Sequence, residues 1–239
     1  MENLIENRYS IIENKNKREI VLLRGKGCVW RKCRFCDYHL DSNKDQSLND
    51  QINIAELDKV TGIYNHLEVI NSGSFIDLSS TTIDYIEKVC IKNNITTLHF
   101  ECHYLHKDEV KPLKDRFKKN NITVNIKIGV ETFDYLFRES YLNKGILEKD
   151  PSIIASYFDE VCLLQGIPGQ TVESMINDIE IGLKYFNRVC VNIMIDNGMP
   201  IMADPNVIKI FMQEVYPLYV NNDDIDILLN NTDFGVGNL

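Results

Sequence analysis

Seven cysteines are spread unevenly along the chain: Cys28, Cys33 and Cys36 fall within nine residues, whereas Cys90, Cys102, Cys162 and Cys190 are scattered through apolar segments. An odd count and a crowded trio argue against a disulfide framework and for a metal site in a reducing compartment. Three thiolates on a short loop can hold three irons of a cubane [4Fe–4S] cluster and leave the fourth iron open to a small ligand. The same loop offers a second chemistry. His39 follows with the spacing Cys-x4-Cys-x2-Cys-x2-His, which would complete a Cys3His zinc site. Spacing alone leaves both open.

The elements that must position this loop are repeated. An apolar run at 20–24 precedes it, and β-branched runs recur at 67–71, 96–101, 123–129, 159–165 and 189–195, each followed by a loop and a helical pattern. Six such β-α units predict a mainly parallel sheet, and a weaker run at 225–229 offers a seventh strand. The expected organisation is one domain: an N-terminal extension over 1–18, a core over 19–218, and a C-terminal segment over 219–239. No Pro- or Gly-rich linker interrupts it.

Several of these runs alternate. Ile122, Val124, Ile126, Ile128 and Val130 interleave with Thr123, Asn125, Lys127, Gly129 and Glu131, and similar patterns occupy 96–101 and 189–196. One face is apolar and the other polar. In a curved β/α barrel the apolar face meets the helices, and the polar face, carrying His99, Glu101, Lys127, Glu131, Asn192 and Asp196, lines a ligand chamber. An antiparallel sheet with a wet polar face shows the same period and stays open as an alternative.

Charge narrows the partners. With 35 acidic against 26 basic residues the formal net charge is −9, so the overall field repels a polyanion and disfavours a nucleic-acid partner. Lys26, Arg31, Lys32 and Arg34 nevertheless gather around the cysteines. No apolar segment approaches the roughly 20 residues needed to span a bilayer, and no leader pattern opens the chain, so the expectation is a cytoplasmic protein without a membrane partner.

The loop, with Phe35 just before the last cysteine, resembles the Cys-x3-Cys-x2-Cys cluster motif of the radical S-adenosylmethionine enzymes, departing from it by one extra residue between Cys28 and Cys33. Further matches follow in that family's order. Asn71-Ser-Gly-Ser-Phe resembles the turn that binds the methionyl amino group, here Ser72-Gly73-Ser74 rather than Gly-Gly-Glu; Gly129-Val-Glu131 and Asn143-Lys-Gly145 resemble elements of tRNA-modifying members; Gly166-Ile-Pro-Gly169 resembles the turn beside the adenine. Together they cover 20–175. The resemblance implies a partial (β/α)6 barrel in an α/β single domain, with a [4Fe–4S] cluster on Cys28, Cys33 and Cys36. It also implies S-adenosylmethionine held by Phe35, Ser72, Gly73, Ser74, Glu131, Gly166 and Gly169. One electron from a reducing partner such as a flavodoxin or ferredoxin would cleave that cofactor to a 5′-deoxyadenosyl radical.

Within that superfamily the chain most resembles the small queuine lyases of gut bacteria, on its size, the segment Leu23-Arg-Gly-Lys-Gly-Cys-Val-Trp…Phe-Cys-Asp-Tyr-His and the Ser-Gly-Ser-Phe turn. This implies a small 7-deazaguanine substrate whose C–N bond is broken to give 7-aminomethyl-7-deazaguanine in queuosine salvage, with a group that protonates the departing nitrogen. Glu101, His103 and Lys127 are the acid–base candidates; Asn192, Asp196 and Asp226 are candidates for hydrogen bonds to the base. Blander roles stand beside them: core histidines for His99 and His103, a helix cap for Asp77, and packing rather than hydrogen-atom donation for Cys102. A radical enzyme acting on tRNA and a noncatalytic zinc scaffold are the alternative functions.

Overall fold

The computed structural model describes residues 7–237, and the β-branched runs become its strands. β1 (Tyr9–Ile12) pairs antiparallel with β2 (Arg18–Leu23), which is followed by α1 (Gln46–Leu57), β3 (His66–Asn71), α2 (Ser80–Lys92), β4 (Thr97–Glu101), α3 (Lys107–Lys118), β5 (Thr123–Glu131), α4 (Pro151–Ala155), β6 (Glu160–Gln165), α5 (Val172–Tyr185), β7 (Arg188–Ile193), α6 (Pro205–Ile210), α7 (Tyr216–Tyr219) and β8 (Ile225–Leu228). Strand order follows the chain. The registers from β2 to β4 and from β5 to β8 are parallel, so the antiparallel alternative is set aside. β1 lies inside the stretch expected as an extension; four residues among Asn, Lys and Glu carry too little pattern to announce a strand.

Within this α/β fold the chain forms two compact units. One gathers the residues up to Val29, Tyr38–Ile126 and the segment from Thr232; the other consists of Trp30–Asp37 and Lys127–Asn231. Neither is continuous in sequence, which is why no linker composition marks them.

In the first unit the apolar residues of β2, β3 and β4, among them Val21, Val69 and Phe100, are buried. The Phe100 ring lies 6.0 Å from Phe75 and 5.9 Å from Phe117, so one aromatic row joins the turn after β3, the strand β4 and helix α3. α2 starts where the Ser79 hydroxyl accepts the Thr82 N–H, and it buries Ile83, Ile86, Val89 and Cys90 at helical spacing. Ser79, not Asp77, is its cap.

In the second unit α5 starts at a capping box between Thr171 and Ser174 and runs against β6 and β7 through Gly182. A Cβ there would meet Val189 at 2.8 Å and Val161 at 3.4 Å, so the missing side chain sets how closely helix and strands approach.

The polar face of the strands is layered rather than uniform. At the amino ends in the first unit Arg18 pairs with Glu68, and His66 stacks on His99 with ring centroids 4.6 Å apart. In the second unit Lys127 is level with Glu160, Glu160 with Arg188, and Asp226 takes the Arg188 guanidinium at 2.6 Å. Alternating signs let these buried charges offset one another. Among the described residues no helix is long and apolar enough to cross a membrane.

Candidate functional site

The first unit builds its site where the turn after β3 meets the start of the cysteine loop. Gly73 lies against that loop: a Cβ on it would stand 3.1 Å from both Cα and N of Cys28 and 2.4 Å from the Asp77 carboxylate. Only glycine allows that approach. Asp77 accepts the Ser74 N–H at 2.9 Å, closing the turn, and its carbonyl accepts the Lys26 N–H at 3.1 Å. The residues that follow the loop are anchored to the same place. Ser72 donates to the Asp41 carbonyl at 2.8 Å, and the Asp41 carboxylate takes Arg8 at 3.1 and 2.6 Å and Arg24 at 3.5 Å. The Ser74 hydroxyl accepts the His103 N–H at 2.9 Å, tying the end of β4 to the turn.

The second unit holds the rest of the cysteine loop. Phe35 is buried with Leu142, Leu164, Ile167, Met194 and Ile201, and Cys33 and Cys36 are packed against this cluster. Backbone and side-chain bonds staple the segment to the strip before α4: Arg34 N–H to the Leu142 carbonyl at 3.0 Å, Trp30 Nε1 to the Asn143 carbonyl at 2.8 Å, and Asn143 Nδ2 to the Lys32 carbonyl at 2.9 Å. On its other side Ile201 N–H donates to the Arg34 carbonyl at 3.0 Å and Asn197 Nδ2 to the Phe35 carbonyl at 2.9 Å.

Glu131 ends β5 at a register shift with a φ of +69°, a left-handed conformation that costs a non-glycine residue. Its carboxylate accepts Lys144 Nζ at 2.6 Å. Burial acts to lower the Lys144 ammonium, but the Glu131 carboxylate and the charges of Cys33 and Cys36 outweigh it, so its pKa is raised and the charge is retained.

The sequence candidates separate by height along the strands. Glu101, His103, Ser72, Gly73 and Ser74 stand at the carboxyl ends in the first unit; Glu131, Gly166, Gly169, Asn192 and Asp196 stand at or after the carboxyl ends in the second. Ligands of parallel β-α folds bind at those ends. Lys127 lies lower, level with Glu160 at the start of β6, and Asp226 is level with Cys190, two residues below the level of Asn192, with its carboxylate taken by Arg188. His99 is likewise low and stacked on His66. Asp196 is exposed and accepts the Ala203 N–H at 2.8 Å, closing the loop after β7. Cys102 is buried, donates to the His103 carbonyl at 3.4 Å, and burial pushes its thiol up to about 12. The turn at Gly166 and Gly169, both left-handed, is held by Gln170, whose Oε1 accepts the Ile167 N–H at 2.9 Å and whose Nε2 donates to the Leu164 carbonyl at 3.0 Å. Sequence reasoning missed Lys144 as a site residue, although the Asn-Lys-Gly element contains it.

The donor set suits a cluster and an amino-acid cofactor. Cys28, Cys33 and Cys36 are half-buried and outside any disulfide. Among the described residues no group of three His, Cys, Asp or Glu side chains is arranged to hold a single metal ion. In the turn that would meet the methionyl group, Asn71 donates through Nδ2 to the Ser74 carbonyl at 3.1 Å while its Oδ1 is a buried acceptor without a partner. A cofactor amino group is the donor that such an oxygen lacks.

No family model matches the chain. An uncharacterized protein of Methanocaldococcus jannaschii is 28% identical over 141 residues, which cover 53% of this chain and 38% of that protein, so the chain matches well under half the length of this curated relative. A queuine lyase from Clostridium spiroforme, solved bound to SAM and queuine, is 46% identical with a TM-score of 0.93, covering 97% of this chain and 99% of that one. Streptococcus suis SuiB bound to S-adenosylmethionine matches 87% of this chain and 46% of its own at a TM-score of 0.51; at 13% identity it bears on the fold alone. The partial β/α barrel expected from the motifs is the fold these likenesses support.

Proposed function

The chain belongs to the queuine lyase family of radical S-adenosylmethionine enzymes, and from that premise we propose that it cleaves queuine to 7-aminomethyl-7-deazaguanine. The observation that carries the reading is 46% identity over nearly the whole of a solved queuine lyase. When bound, the cluster and S-adenosylmethionine supply a carbon radical able to remove hydrogen from the cyclopentenediol beside its C–N bond.

The chain's own residues bind, position and exchange protons. Cys28, Cys33 and Cys36 are the cluster ligands. Asn71 and the Ser72–Ser74 turn, seated on Cys28, meet the methionyl group, while Glu131 and the Gly166–Gly169 turn meet the nucleoside. His103 is the candidate acid for the departing nitrogen. Its Nδ1 accepts the Leu105 N–H at 3.2 Å, so a neutral ring carries its proton on Nε2 and presents it as a donor. Glu101, two residues back at the end of β4, is the second acid–base group, and Asn192, with Asp196 beyond it, is the candidate for the guanine-like edge. A reducing partner such as a flavodoxin or ferredoxin supplies the electron.

The test is anaerobic reconstitution with iron and sulfide, then incubation with dithionite, S-adenosylmethionine and queuine, read by mass spectrometry. The expected products are 5′-deoxyadenosine and 7-aminomethyl-7-deazaguanine, dependent on every component. Deoxyadenosine with unchanged queuine would discard the substrate. A colourless protein yielding neither would discard the class.

A further inference from the structure

Lys144 has no place in the roles assigned above, yet the second unit builds a site for it. Its neighbours Leu142 and Asn143 are bonded to Arg34, Trp30 and Lys32, so the backbone on either side of Cys33 fixes where Lys144 stands. On its other flank the Gly145 and Ile146 N–H groups donate to the Glu139 carboxylate at 2.9 and 3.0 Å. Gly145, at φ +78°, lies under the Trp30 ring, where a Cβ would come within 2.5 Å. The side chain itself is 12% exposed; its Nζ lies 5.6 Å from the centroid of Phe35, the residue just before Cys36, and 2.6 Å from Glu131. A lysine held on both flanks by the segment that carries Cys33 and Cys36, and this little exposed, is more than a surface ion pair.

Resting on the reading of Cys33 and Cys36 as cluster ligands, we propose that Lys144 is a positioning residue for charge: its ammonium raises the reduction potential of the cluster, and Glu131 moderates that effect. A fixed positive charge stabilises the state carrying one more electron, and in a partly dry setting the effect survives at distances where water would erase it.

The test is a redox titration of the reconstituted full chain with external mediators and no S-adenosylmethionine, following the reduced cluster by electron paramagnetic resonance. Leaving out the cofactor removes any effect of Lys144 on cofactor binding. At the wild-type midpoint, Lys144→Gln is expected to lower the reduced-to-oxidised ratio roughly tenfold, a displacement of about 59 mV for one electron. Lys144→Arg should restore the wild-type midpoint, and Glu131→Gln should move it the opposite way. An unchanged midpoint in Lys144→Gln overturns the proposal. If that variant assembles no cluster, Glu131→Gln decides: a positive displacement supports the proposal and none overturns it. A wild-type protein that assembles no cluster fails the underlying reading instead, and is told apart by its lack of colour.

Discussion

Asp178 shows how a side chain outside the cofactor contacts still answers to the site. It projects from α5, accepts the Phe133 N–H at 2.7 Å just after the bulged end of β5, and is 2% exposed. Burial pushes its pKa up to about 6, against the lowering effect of that hydrogen bond. Because the folded value lies above the unfolded one, the stabilisation is complete below about pH 4 and is lost as pH rises through 6. Between pH 4 and 7 the unfolding free energy of the apoprotein should fall by about 2 kcal/mol relative to Asp178→Asn. Urea unfolding of both proteins across that range checks this, and parallel profiles would contradict it. For the cysteines the expectation is sharper. Cys33→Ala should abolish iron binding, the cluster's absorbance and all cofactor cleavage while circular dichroism stays native; retained iron with full activity would remove Cys33 from the ligand set.

At the scale of elements, apolar and β-branched runs located the seven strands from β2 to β8 within about two residues, and several of them alternate where burial is one-sided. Alternation states which face a residue occupies and says nothing about its height. That is why Lys127 and Asp226 read as equals of Glu131 and Asn192, although Lys127 stands level with Glu160 and the Asp226 carboxylate is taken by Arg188. Asp226→Asn should therefore behave as a broken buried ion pair. We expect about 2–4 kcal/mol of lost stability and an unchanged KM for queuine, measured by denaturant unfolding and steady-state assays. Lys144 was hidden for a different reason: its partner Glu131 lies 13 residues away on another element, and only the fold brings them together. The strip around it makes its own prediction. Gly145→Ala meets both a left-handed backbone and the Trp30 ring, so it should cost about 1–3 kcal/mol and shorten iron retention, as followed by thermal unfolding and iron release.

At the scale of the whole molecule, the second unit takes eight of its residues, Trp30–Asp37, from far upstream of the rest, which begin at Lys127. The partners that seat this segment, Leu142, Asn143, Asn197 and Ile201, lie more than a hundred residues beyond it. During synthesis Cys33 and Cys36 leave the ribosome long before anything exists to bury Phe35. At roughly 5–20 residues per second the interval until Ile201 appears is on the order of ten seconds or more. Through that window two soft thiols travel on an unanchored chain, open to oxidants and stray metals. Alkylation of stalled nascent chains should label both cysteines freely when synthesis stops near residue 150, and far more slowly once the chain is released. Cluster loading thus belongs after translation, and a cell making this protein under oxygen would lose it at the ribosome before losing it as an enzyme.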